Sequence, residues 1–489
     1  MKLSKKQIVL ILVGALLLGF IGAFAGIQLA QDNDQQTPQS SVENSSSNED
    51  SGSGQSELTG DLSKVSQAYD IIKENYLEDV EDKQLVEGAI EGMLATLGDQ
   101  HTSYLDVEMM QQFNEQIESS FEGIGAEVSM VNGNVTIVSP MKGSPAEEAG
   151  LRPNDQVLTV DGESLDGLNL NEAVAQIRGE KGSEVVLEIQ RTGVTEPFEV
   201  TIVRDTIPVE TVYSETQEVD GKLTGIIEIT NFSEKTGEEF DQQLTELENQ
   251  GVEGLVIDVR GNPGGLLNVA EDILKHLVPK DLPILQIEDG EGQVEEVYSE
   301  LEAKKDYPIS VLIDEGSASA SEILAVAMKD LGYDIVGETS YGKGTVQQAV
   351  PMGDGSSIKL TTLKWLSPKG EWINEEGVEP TIEEKQPEYY YSIPIQVEEE
   401  PFSIDETSEE IANMQVMLSG LGYDTGRTDG YFDEQTEEAV KDFQADNDIE
   451  STGEVDPETG GLIESQLVEK IRNGEDDQQL DTSLEELYQ

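Results

Sequence analysis

The chain contains no cysteine among its 489 residues, which excludes disulfides, cysteine nucleophiles, thiolate zinc sites and a lipid-modified cysteine anchor. Histidine is nearly absent too, since only His101 and His276 occur, and no H-E-x-x-H pattern of a zinc peptidase is present. We therefore predict no metal and no other cofactor. Basic residues number 29 against 101 acidic ones. Because phosphate contacts need clustered Lys and Arg, this balance argues against nucleic-acid binding.

The acidic excess amounts to a net charge of −72. The simplest interpretation is a solvated acidic surface that keeps the protein soluble, and such a surface fits work in salty or alkaline surroundings. The apolar fraction of 36% is enough for packed cores. At about 150 residues per domain, the length predicts roughly three domains.

The first 30 residues have the pattern of an export signal. Lysines precede an apolar run over residues 8–30, which is long enough to cross a bilayer with its basic end in the cytoplasm. We predict an uncleaved single-pass anchor in the cell membrane, with the catalytic part outside the cytoplasm. Cleavage near Ala25 or Ala30 is the alternative and would make the protein secreted. Residues 31–57, rich in small and polar residues, are predicted to be a flexible linker.

The central part of the chain predicts a multidomain α/β protein. Apolar residues at helical spacing predict a helical N-terminal segment over residues 58–113, which could form a homodimer. Short alternating runs with two helices between them predict a β-rich module over residues 114–205. Strand–helix alternation over residues 206–385 is typical of an α/β core.

The C-terminal part predicts a linker over residues 386–407 and a small helical module over residues 408–470. The Gly453–Asp456 turn at the end of this module resembles the helical peptidoglycan-binding repeat of cell-wall enzymes, so peptidoglycan is a candidate partner. The last segment, 471–489, is an acidic tail that we expect to be disordered from about Asn473.

A glycine-rich turn opens the β-rich module. Residues Gly123, Ile124, Gly125 and Ala126 resemble the carboxylate-binding loop of PDZ domains, and Asn154–Gly162 matches the PDZ pattern of bacterial proteases. Successive backbone N–H groups in such a turn can hold a terminal carboxylate, and the neighbouring strand edge can pair with an extended peptide. A turn that merely needs glycine is the alternative. The resemblance implies protein or peptide substrates with unstructured apolar C-termini.

Segment 313–325 combines small residues with three serines, Ser317, Ser319 and Ser321. A buried strand is predicted to end here and a helix to begin. Such a turn exposes a hydroxyl and directs helix N–H groups towards it, which suits an oxyanion. A helix N-cap explains the serines equally well, and their spacing does not choose among them.

Lys343 lies between Gly342 and Gly344, just past another predicted strand. A buried amine whose pKa falls several units from about 10.4 can accept the proton of a serine hydroxyl, and desolvation can supply that shift. Neither histidine lies in a glycine-rich loop, so Lys343 is the predicted base. The spacing also matches a phosphate-binding loop, but Gly344 replaces the Ser or Thr that would hold Mg²⁺, so we expect no nucleotide.

A third segment, residues 258–265, follows a further predicted strand. Its backbone N–H groups at Gly264 or Gly265 could supply an oxyanion donor, and a tight turn is the compatible structural interpretation. Together the three segments resemble the carboxy-terminal processing (tail-specific) serine peptidase family. The resemblance implies that Ser319 is the nucleophile, that Lys343 is the base, and that Gln347 orients the lysine.

The same resemblance implies further roles. The oxyanion donors correspond to the N–H groups of Ala320 and of Gly264 or Gly265, and Arg178 corresponds to the position that links the PDZ domain to the active site. The implied function is a serine-type endopeptidase that recognises C-termini through its PDZ domain. Two other functions stay open, a non-catalytic PDZ and cell-wall scaffold and a peptidoglycan hydrolase.

Overall fold

The computed structural model describes residues 58–131, 133–395, 397 and 400–489. The predicted anchor and the flexible linker, residues 1–57, lie outside the described residues. Within the described part of the chain, no helix combines the length and the apolar character that a membrane span requires. The chain divides into two compact units. The N-terminal unit comprises the described residues up to Gln116 together with Gln286–Glu296 and Gly344–Leu366, and the other described residues form the main unit.

The N-terminal unit combines helices with a five-stranded sheet, and all elements are numbered in chain order. Its helices are α1 (Leu58–Asn75), α2 (Asp82–Ala95) and α3 (Val107–Ile117). Its strands are β1 (Ser103–Leu105), β13 (Pro283–Asp289), β14 (Val294–Tyr298), β17 (Thr345–Pro351) and β18 (Ser357–Leu366). Strand β18 is central, because it pairs antiparallel with β1, β13 and β17.

The main unit begins with a β-rich module. Two strands, β2 (Ser120–Gly123) and β9 (Asp205–Pro208), form a separate pair. The larger sheet has the order β3 (Ala126–Val131), β4 (Asn134–Pro140), β5 (Gln156–Val160), β7 (Glu184–Gln190) and β8 (Phe198–Val203), with β6 (Glu163–Ser164) beside β5. Two short capped helices, α4 (Pro145–Glu148) and α5 (Leu170–Ile177), complete the module.

A six-stranded sheet forms the core of the main unit. Its order is β10 (Val212–Val219), β11 (Lys222–Ile229), β12 (Gly254–Asp258), β15 (Ile309–Ile313), β16 (Asp334–Gly337) and β19 (Ile382–Glu383). The first two strands form an antiparallel hairpin, and all other neighbours are parallel. Helices α6 (Thr236–Gln250), α7 (Leu267–Leu274) and α8 (Ala320–Asp330) connect the parallel strands.

The parallel arrangement positions the candidate site. Segments 259–265, 314–319 and 338–343 follow the carboxyl ends of β12, β15 and β16, which are neighbours in the sheet. Because carboxyl ends of parallel strands lie at one edge, the loops that follow them converge there. Every residue of β15 is buried, as expected for a strand covered on both faces.

A helical module follows the core. It contains α9 (Glu409–Gly420), α10 (Glu434–Asp446) and α11 (Pro457–Arg472), and Glu388–Tyr391 forms a short 3₁₀ helix before it. The side chains of Ser408, Asp433 and Asp456 cap the three α-helices by accepting backbone N–H hydrogen bonds. Each cap satisfies donors that the first helical turn leaves unpaired.

The prediction that the tail is disordered is wrong. Residues Gln478–Glu486 form helix α12, capped by Asp477. Leu484 and Leu487 pack against Ile226, Val256, Leu312 and Val336 on one face of the six-stranded sheet. A tail dominated by acidic residues suggests disorder by composition, but its leucines recur at helical spacing and cover apolar side chains of this sheet.

Candidate active site

Ser319 lies on a sharp turn between β15 and α8. Its backbone angles are φ 55° and ψ −111°, in a region that residues with a side chain rarely adopt. Such a conformation costs about 1–3 kcal/mol and persists only where surrounding contacts impose it. Here the backbone N–H of Ser319 donates to the carboxylate of Glu322 at 2.7 Å. The turn leaves Ser319 partly exposed at the start of the helix.

The two neighbouring serines are buried and serve as structural ties. The Ser317 hydroxyl donates to the carbonyl of Val259 at 2.8 Å, and the Ser321 hydroxyl donates to the carbonyl of Asn262 at 2.9 Å. Both side chains are therefore held against the turn that follows β12. Of the three serines, Ser319 alone combines partial exposure with a strained backbone.

Asn262 organises the turn that follows β12. Its buried side chain donates to the carbonyl of Ile229 at 2.6 Å and accepts from the N–H of Gly264 at 2.8 Å. Its own carbonyl also accepts from the N–H of Ala318 at 3.0 Å. The turn and the serine loop are thus fastened together by hydrogen bonds at fixed positions.

The three predicted oxyanion donors are not equivalent. The N–H of Gly264 is already bonded to Asn262, whereas no hydrogen bond joins the N–H of Gly265 or Ala320 to another part of the chain that the structure describes. Gly264 has φ 97°, and a Cβ there would lie 2.8 Å from the Ala320 nitrogen and 2.8 Å from Ser319 Cβ. Gly264 is therefore required for the close approach of the two loops, and of the two glycines only Gly265 keeps an N–H that is not bonded to another described residue.

Lys343 lies in the loop after β16, and only 8% of the residue is exposed. Its backbone N–H donates to Glu322 at 2.9 Å, and the N–H of Tyr341 donates to the carbonyl of Ser317 at 3.0 Å. Gly342 has φ 89°, and a Cβ there would lie 3.0 Å from the backbone nitrogen of Gly377. The glycine before Lys343 is thus needed for backbone packing.

Glu322 was not predicted as a site residue, yet it joins the serine and lysine loops. Its fully buried carboxylate accepts four hydrogen bonds, from Ser319 N, Ser340 Oγ, Gly342 N and Lys343 N, at 2.6–2.9 Å. Burial raises the pKa of Glu322, and these hydrogen bonds oppose the rise. The Ser-x-x-Glu spacing of a capping box was the available sequence signal, but it does not reveal the bonds to the lysine loop.

Comparisons with known proteins agree with this architecture. The matching family models are, in chain order, "Activating protease CtpB N-terminal domain" (residues 16–109), "PDZ domain" (136–191), "Peptidase family S41" (223–384) and "Putative peptidoglycan binding domain" (407–462). The carboxy-terminal processing protease CtpB of Bacillus subtilis (strain 168) is 47% identical over 487 residues, covering 99% of this chain and 100% of the relative. This chain belongs to the carboxy-terminal processing protease family.

Two further members of the family are also similar. The carboxy-terminal processing protease CtpA of Bacillus subtilis (strain 168) is 40% identical over 432 residues, covering 88% of this chain and 91% of the relative. A probable CtpA-like serine protease of Staphylococcus aureus (strain N315) is 35% identical over 418 residues, covering 85% of this chain and 83% of the relative. The predicted family, PDZ module, peptidase core and helical C-terminal module are thereby confirmed.

Gln347, the residue predicted to orient the lysine, lies on β17 of the N-terminal unit. Its side-chain Nε2 donates to the hydroxyls of Thr345 at 2.8 Å and Thr361 at 3.2 Å. Ser319 and Lys343 belong to the main unit. The lysine-orienting role of Gln347 therefore stays a prediction.

The predicted carboxylate-binding loop of the PDZ domain packs against the start of α4. The Gly125 carbonyl accepts from the Ser144 hydroxyl at 2.7 Å, and the Ile124 carbonyl accepts from the N–H of Ala146 at 2.8 Å. Gly125 has φ 74°, and a Cβ there would lie 2.5 Å from Ser144 Cβ. The loop conformation thus requires glycine, as the motif predicted.

Arg178 lies beside this loop at the end of α5. Its guanidinium carbon is 4.9 Å from the centre of the Phe121 ring, and its Cγ is 3.8 Å from the position of a Cβ on Gly123. This placement associates Arg178 with the PDZ domain. Its link to the active site stays a prediction.

The histidines occupy two different environments. His101 is buried, and its backbone N–H donates to the Asp99 carboxylate at 2.9 Å. His276 is partly exposed, with Nδ1 3.4 Å from a carboxylate oxygen of Asp241. Over the described ranges, no cluster of three or more acidic, histidine or cysteine side chains could hold a metal ion.

Proposed function

We propose that this protein is an endopeptidase with Ser319 as nucleophile and Lys343 as general base. The observation that carries the proposal is Glu322, because one buried carboxylate binds the backbone of both residues. The strained, partly exposed conformation of Ser319 supports the choice of this serine over its two buried neighbours.

The proposed reaction proceeds through an acyl-enzyme. Neutral Lys343 Nζ accepts the proton of the Ser319 hydroxyl while Oγ bonds to the scissile carbonyl carbon. The N–H groups of Ala320 and Gly265 donate to the resulting oxyanion. The ammonium of Lys343 then protonates the departing amine as the C–N bond breaks, and water hydrolyses the acyl-enzyme.

Substrate selection is assigned to the PDZ domain. Strand β3 lies at an edge of its sheet and directly follows the loop Gly123–Ala126. An extended peptide could pair with this edge while its terminal carboxylate meets the loop. We propose protein substrates with unstructured, apolar C-termini, and we assign Arg178 a role in coupling their binding to activity.

A peptide with an apolar C-terminus tests the mechanism. Wild-type protein should cleave it, whereas Ser319→Ala and Lys343→Ala should abolish cleavage and retain binding of the peptide, measured by fluorescence anisotropy. Blocking the peptide as a C-terminal amide should weaken binding, because the loop would lose its carboxylate. Undiminished cleavage by either variant would show that the assigned residues are wrong, and binding without cleavage by wild type would favour the scaffold.

The helical module suggests an association with the cell wall. Its match to a putative peptidoglycan-binding domain supports peptidoglycan as a partner of residues 408–470. Full-length Ser319→Ala protein should co-sediment with insoluble peptidoglycan. Release of dye from labelled wall by wild-type protein would instead support a peptidoglycan hydrolase.

We further propose that residues 1–30 hold the protein at the cell membrane, with the catalytic part outside the cytoplasm. The basic residues before the apolar run support this orientation. Membrane fractionation with protease treatment of intact cells tests the topology. A mature N-terminus after residue 30 would show that the signal is cleaved.

A homodimer is proposed through the N-terminal helices. Leu62, Val65 and Ile71 on α1 and Val86 on α2 are exposed apolar side chains, and burying them against a second copy would remove them from water. Sedimentation velocity should show a dimer for the wild type, and Val65→Glu combined with Ile71→Glu should shift it to a monomer. An unchanged sedimentation coefficient would contradict this interface.

A further inference from the structure

Gln347 faces Thr361 across two paired strands of the N-terminal unit. The residues are direct partners in the antiparallel β17–β18 ladder, so their side chains lie on the same face. The register shifts between Val346 and Gln347, which leaves Thr362 opposite the irregularity. Gln347 Nε2 donates to the hydroxyls of Thr345 and Thr361, so both amide hydrogens have threonine acceptors.

Thr361 also contacts the turn that precedes β1. Its hydroxyl is hydrogen-bonded to the carboxylate of Asp99, and its backbone N–H donates to the hydroxyl of Thr102 at 3.2 Å. Thr102 Oγ1 donates in turn to Asp99 Oδ2 at 2.6 Å, and the backbone N–H of His101 donates to Asp99 Oδ1 at 2.9 Å. These contacts form what we call the Asp99 network: Asp99, Thr102, Thr361 and Gln347.

The chemistry of a carboxylate imposes a direction on this network. Burial raises the pKa of Asp99, but hydrogen bonds from Thr102, Thr361 and His101 outweigh it and the net pKa is lowered. An ionised carboxylate only accepts, so the Thr361 hydroxyl has to donate to Asp99. The hydroxyl oxygen is then left to accept from Gln347.

This direction selects one orientation of the Gln347 amide. In isolation the two ends of an amide are interchangeable in shape, and only the donors and acceptors around it decide which end is the NH₂ group. Because Thr361 accepts, the NH₂ group faces the two threonines, and the carbonyl oxygen Oε1 is directed away from them. An acceptor in that position is what a residue orienting a lysine amine requires.

We propose that Asp99 and Thr361 are positioning residues that fix the Gln347 amide, with Oε1 as the acceptor available for its lysine-orienting role. The inference rests on the Ser–Lys mechanism proposed above. It also assigns a purpose to the Gly98–Tyr104 segment, whose histidine has no catalytic role in that mechanism. The carboxylate of Asp99 acts through Thr361 and Gln347, without touching the substrate.

Variants at two adjacent threonines test the proposal in the full-length protein. Thr361→Val preserves shape and removes the hydroxyl, so kcat for peptide cleavage should fall about 10- to 100-fold while KM stays within about twofold. Thr361→Ser restores the hydroxyl and should recover kcat. Thr362→Val is the matched control, because the buried Thr362 hydroxyl has no hydrogen-bond partner among the described residues, and it should leave kcat unchanged.

A second pair of variants follows the same path. In Asp99→Asn the new NH₂ group can donate to the Thr361 hydroxyl, which would no longer have to act as the donor, so kcat should fall. The melting temperature should stay at the wild-type value, whereas a general folding defect would lower it. Combining Thr361→Val with Gln347→Ala should slow the enzyme no further than Gln347→Ala alone, because both act through one amide.

The outcomes separate this inference from the mechanism on which it rests. If Thr361→Val keeps the wild-type kcat while Gln347→Ala is slow, the positioning role of Asp99 and Thr361 is wrong, and the role of Gln347 still stands. An equal loss in Thr361→Val and Thr362→Val would also overturn it, because sheet damage would then explain both. Full kcat in Gln347→Ala would overturn the lysine-orienting role and this inference together, and cleavage by Ser319→Ala would overturn the mechanism itself.

Discussion

Two carboxylates in the main unit, the fully buried Glu322 and the largely buried Asp477, meet opposite electrostatic surroundings. Glu322, in the turn that carries the proposed nucleophile, accepts four hydrogen bonds from neutral backbone and hydroxyl donors. Asp477, at the start of α12, pairs with the guanidinium of Arg260, with both contacts at 2.8 Å. Arg260 also pairs with Asp258, at 2.5 Å. The first carboxylate binds backbone groups of the serine and lysine loops, and the second attaches the tail to the sheet.

The difference appears in the pKa values of the two groups. Burial raises the pKa of Glu322 more than its neutral donors lower it. Burial also acts on Asp477, but the hydrogen bond and charge of Arg260 outweigh it and lower its pKa. Neutral donors can thus position a carboxylate without stabilising its charge fully, whereas a guanidinium does both. The two regions should therefore respond differently to substitution and to pH.

Breaking the charged region should have the largest effect. Arg260→Ala leaves the largely buried carboxylates of Asp258 and Asp477 without their cation, which should cost about 3 kcal/mol. Hydrogen exchange of the α12 amides should report this as a lower opening free energy of the tail. Arg472→Ala is the control, since this exposed arginine lies 3.9 Å from Glu127 and should change stability by at most about 1 kcal/mol. Unchanged protection of α12 in Arg260→Ala would contradict the tail attachment.

Breaking the neutral region should mainly affect catalysis. In Glu322→Gln the new NH₂ group cannot accept, so two of the four donors lose their acceptor. We expect kcat to fall about 100-fold, equivalent to about 2.7 kcal/mol, because the serine and lysine loops lose a common contact. Glu315→Gln, an exposed change in the same loop, should keep wild-type kcat. A fully active Glu322→Gln would show that the carboxylate has no positioning role.

The pH dependence should separate the regions further. The pKa of Asp477 is lower in the folded protein than its usual 3.8, so its contribution is complete above that value and lost as the pH falls through the folded pKa. Asp477→Asn should destabilise α12 by about 2 kcal/mol at pH 7, and this difference from wild type should shrink below pH 4. Hydrogen exchange at several pH values measures it. A difference that stays constant with pH would contradict the charged attachment.

Glu322 should show the opposite trend. Its pKa is raised on folding, so its protonated form favours the folded state, and that contribution is lost as the pH rises through the folded pKa. Over that same pH range the ionised carboxylate of Asp477 makes its full contribution to the stability of the folded protein.

The smallest effect should come from the buried serines. Ser321→Ala removes the hydrogen bond to the Asn262 carbonyl, and Ser317→Ala removes both the bond to the Val259 carbonyl and the bond that Ser317 Oγ accepts from the N–H of Asp314. Each lost bond should cost about 1 kcal/mol. Peptide cleavage should stay within a few fold of wild type. Loss of cleavage equal to that of Ser319→Ala would contradict the assignment of the nucleophile.

The candidate site was predictable wherever its chemistry is local in sequence. Strand ends followed by small residues identified the serine turn, and paired glycines identified the lysine loop. The contribution of Glu322 was hidden, because three of its four partners lie 18 to 21 residues further along the chain. The sequence also did not show which of Gly264 and Gly265 has a free backbone N–H in the described part of the chain, because this depends on the hydrogen bond that the Asn262 side chain accepts from Gly264.

The tail shows where composition misleads. Its acidic residues predicted disorder, but Asp477 is bonded to an arginine 217 residues away, and Leu484 and Leu487 cover strands of the peptidase core. The Asp99 network likewise joins residues 259 positions apart. Neither the Arg260–Asp477 contact nor the Thr102–Thr361 contact can be predicted from a local sequence pattern, because periodicity and motif spacing extend over one or two elements at most.

The amino-acid sequence by itself determined the order of the modules, the strand–turn–helix character of the core and the residue types available for catalysis. These follow from hydrophobic periodicity, glycine positions and short motifs, all of which act locally along the chain. Only the tertiary structure decided that Ser319 is the exposed serine, that Glu322 binds both loops and that the acidic tail is a helix. Each of these features depends on donors, acceptors and apolar faces that lie far apart in the sequence. The physical reason is that a buried polar group needs a hydrogen-bond partner, and only the fold determines which distant residue supplies it.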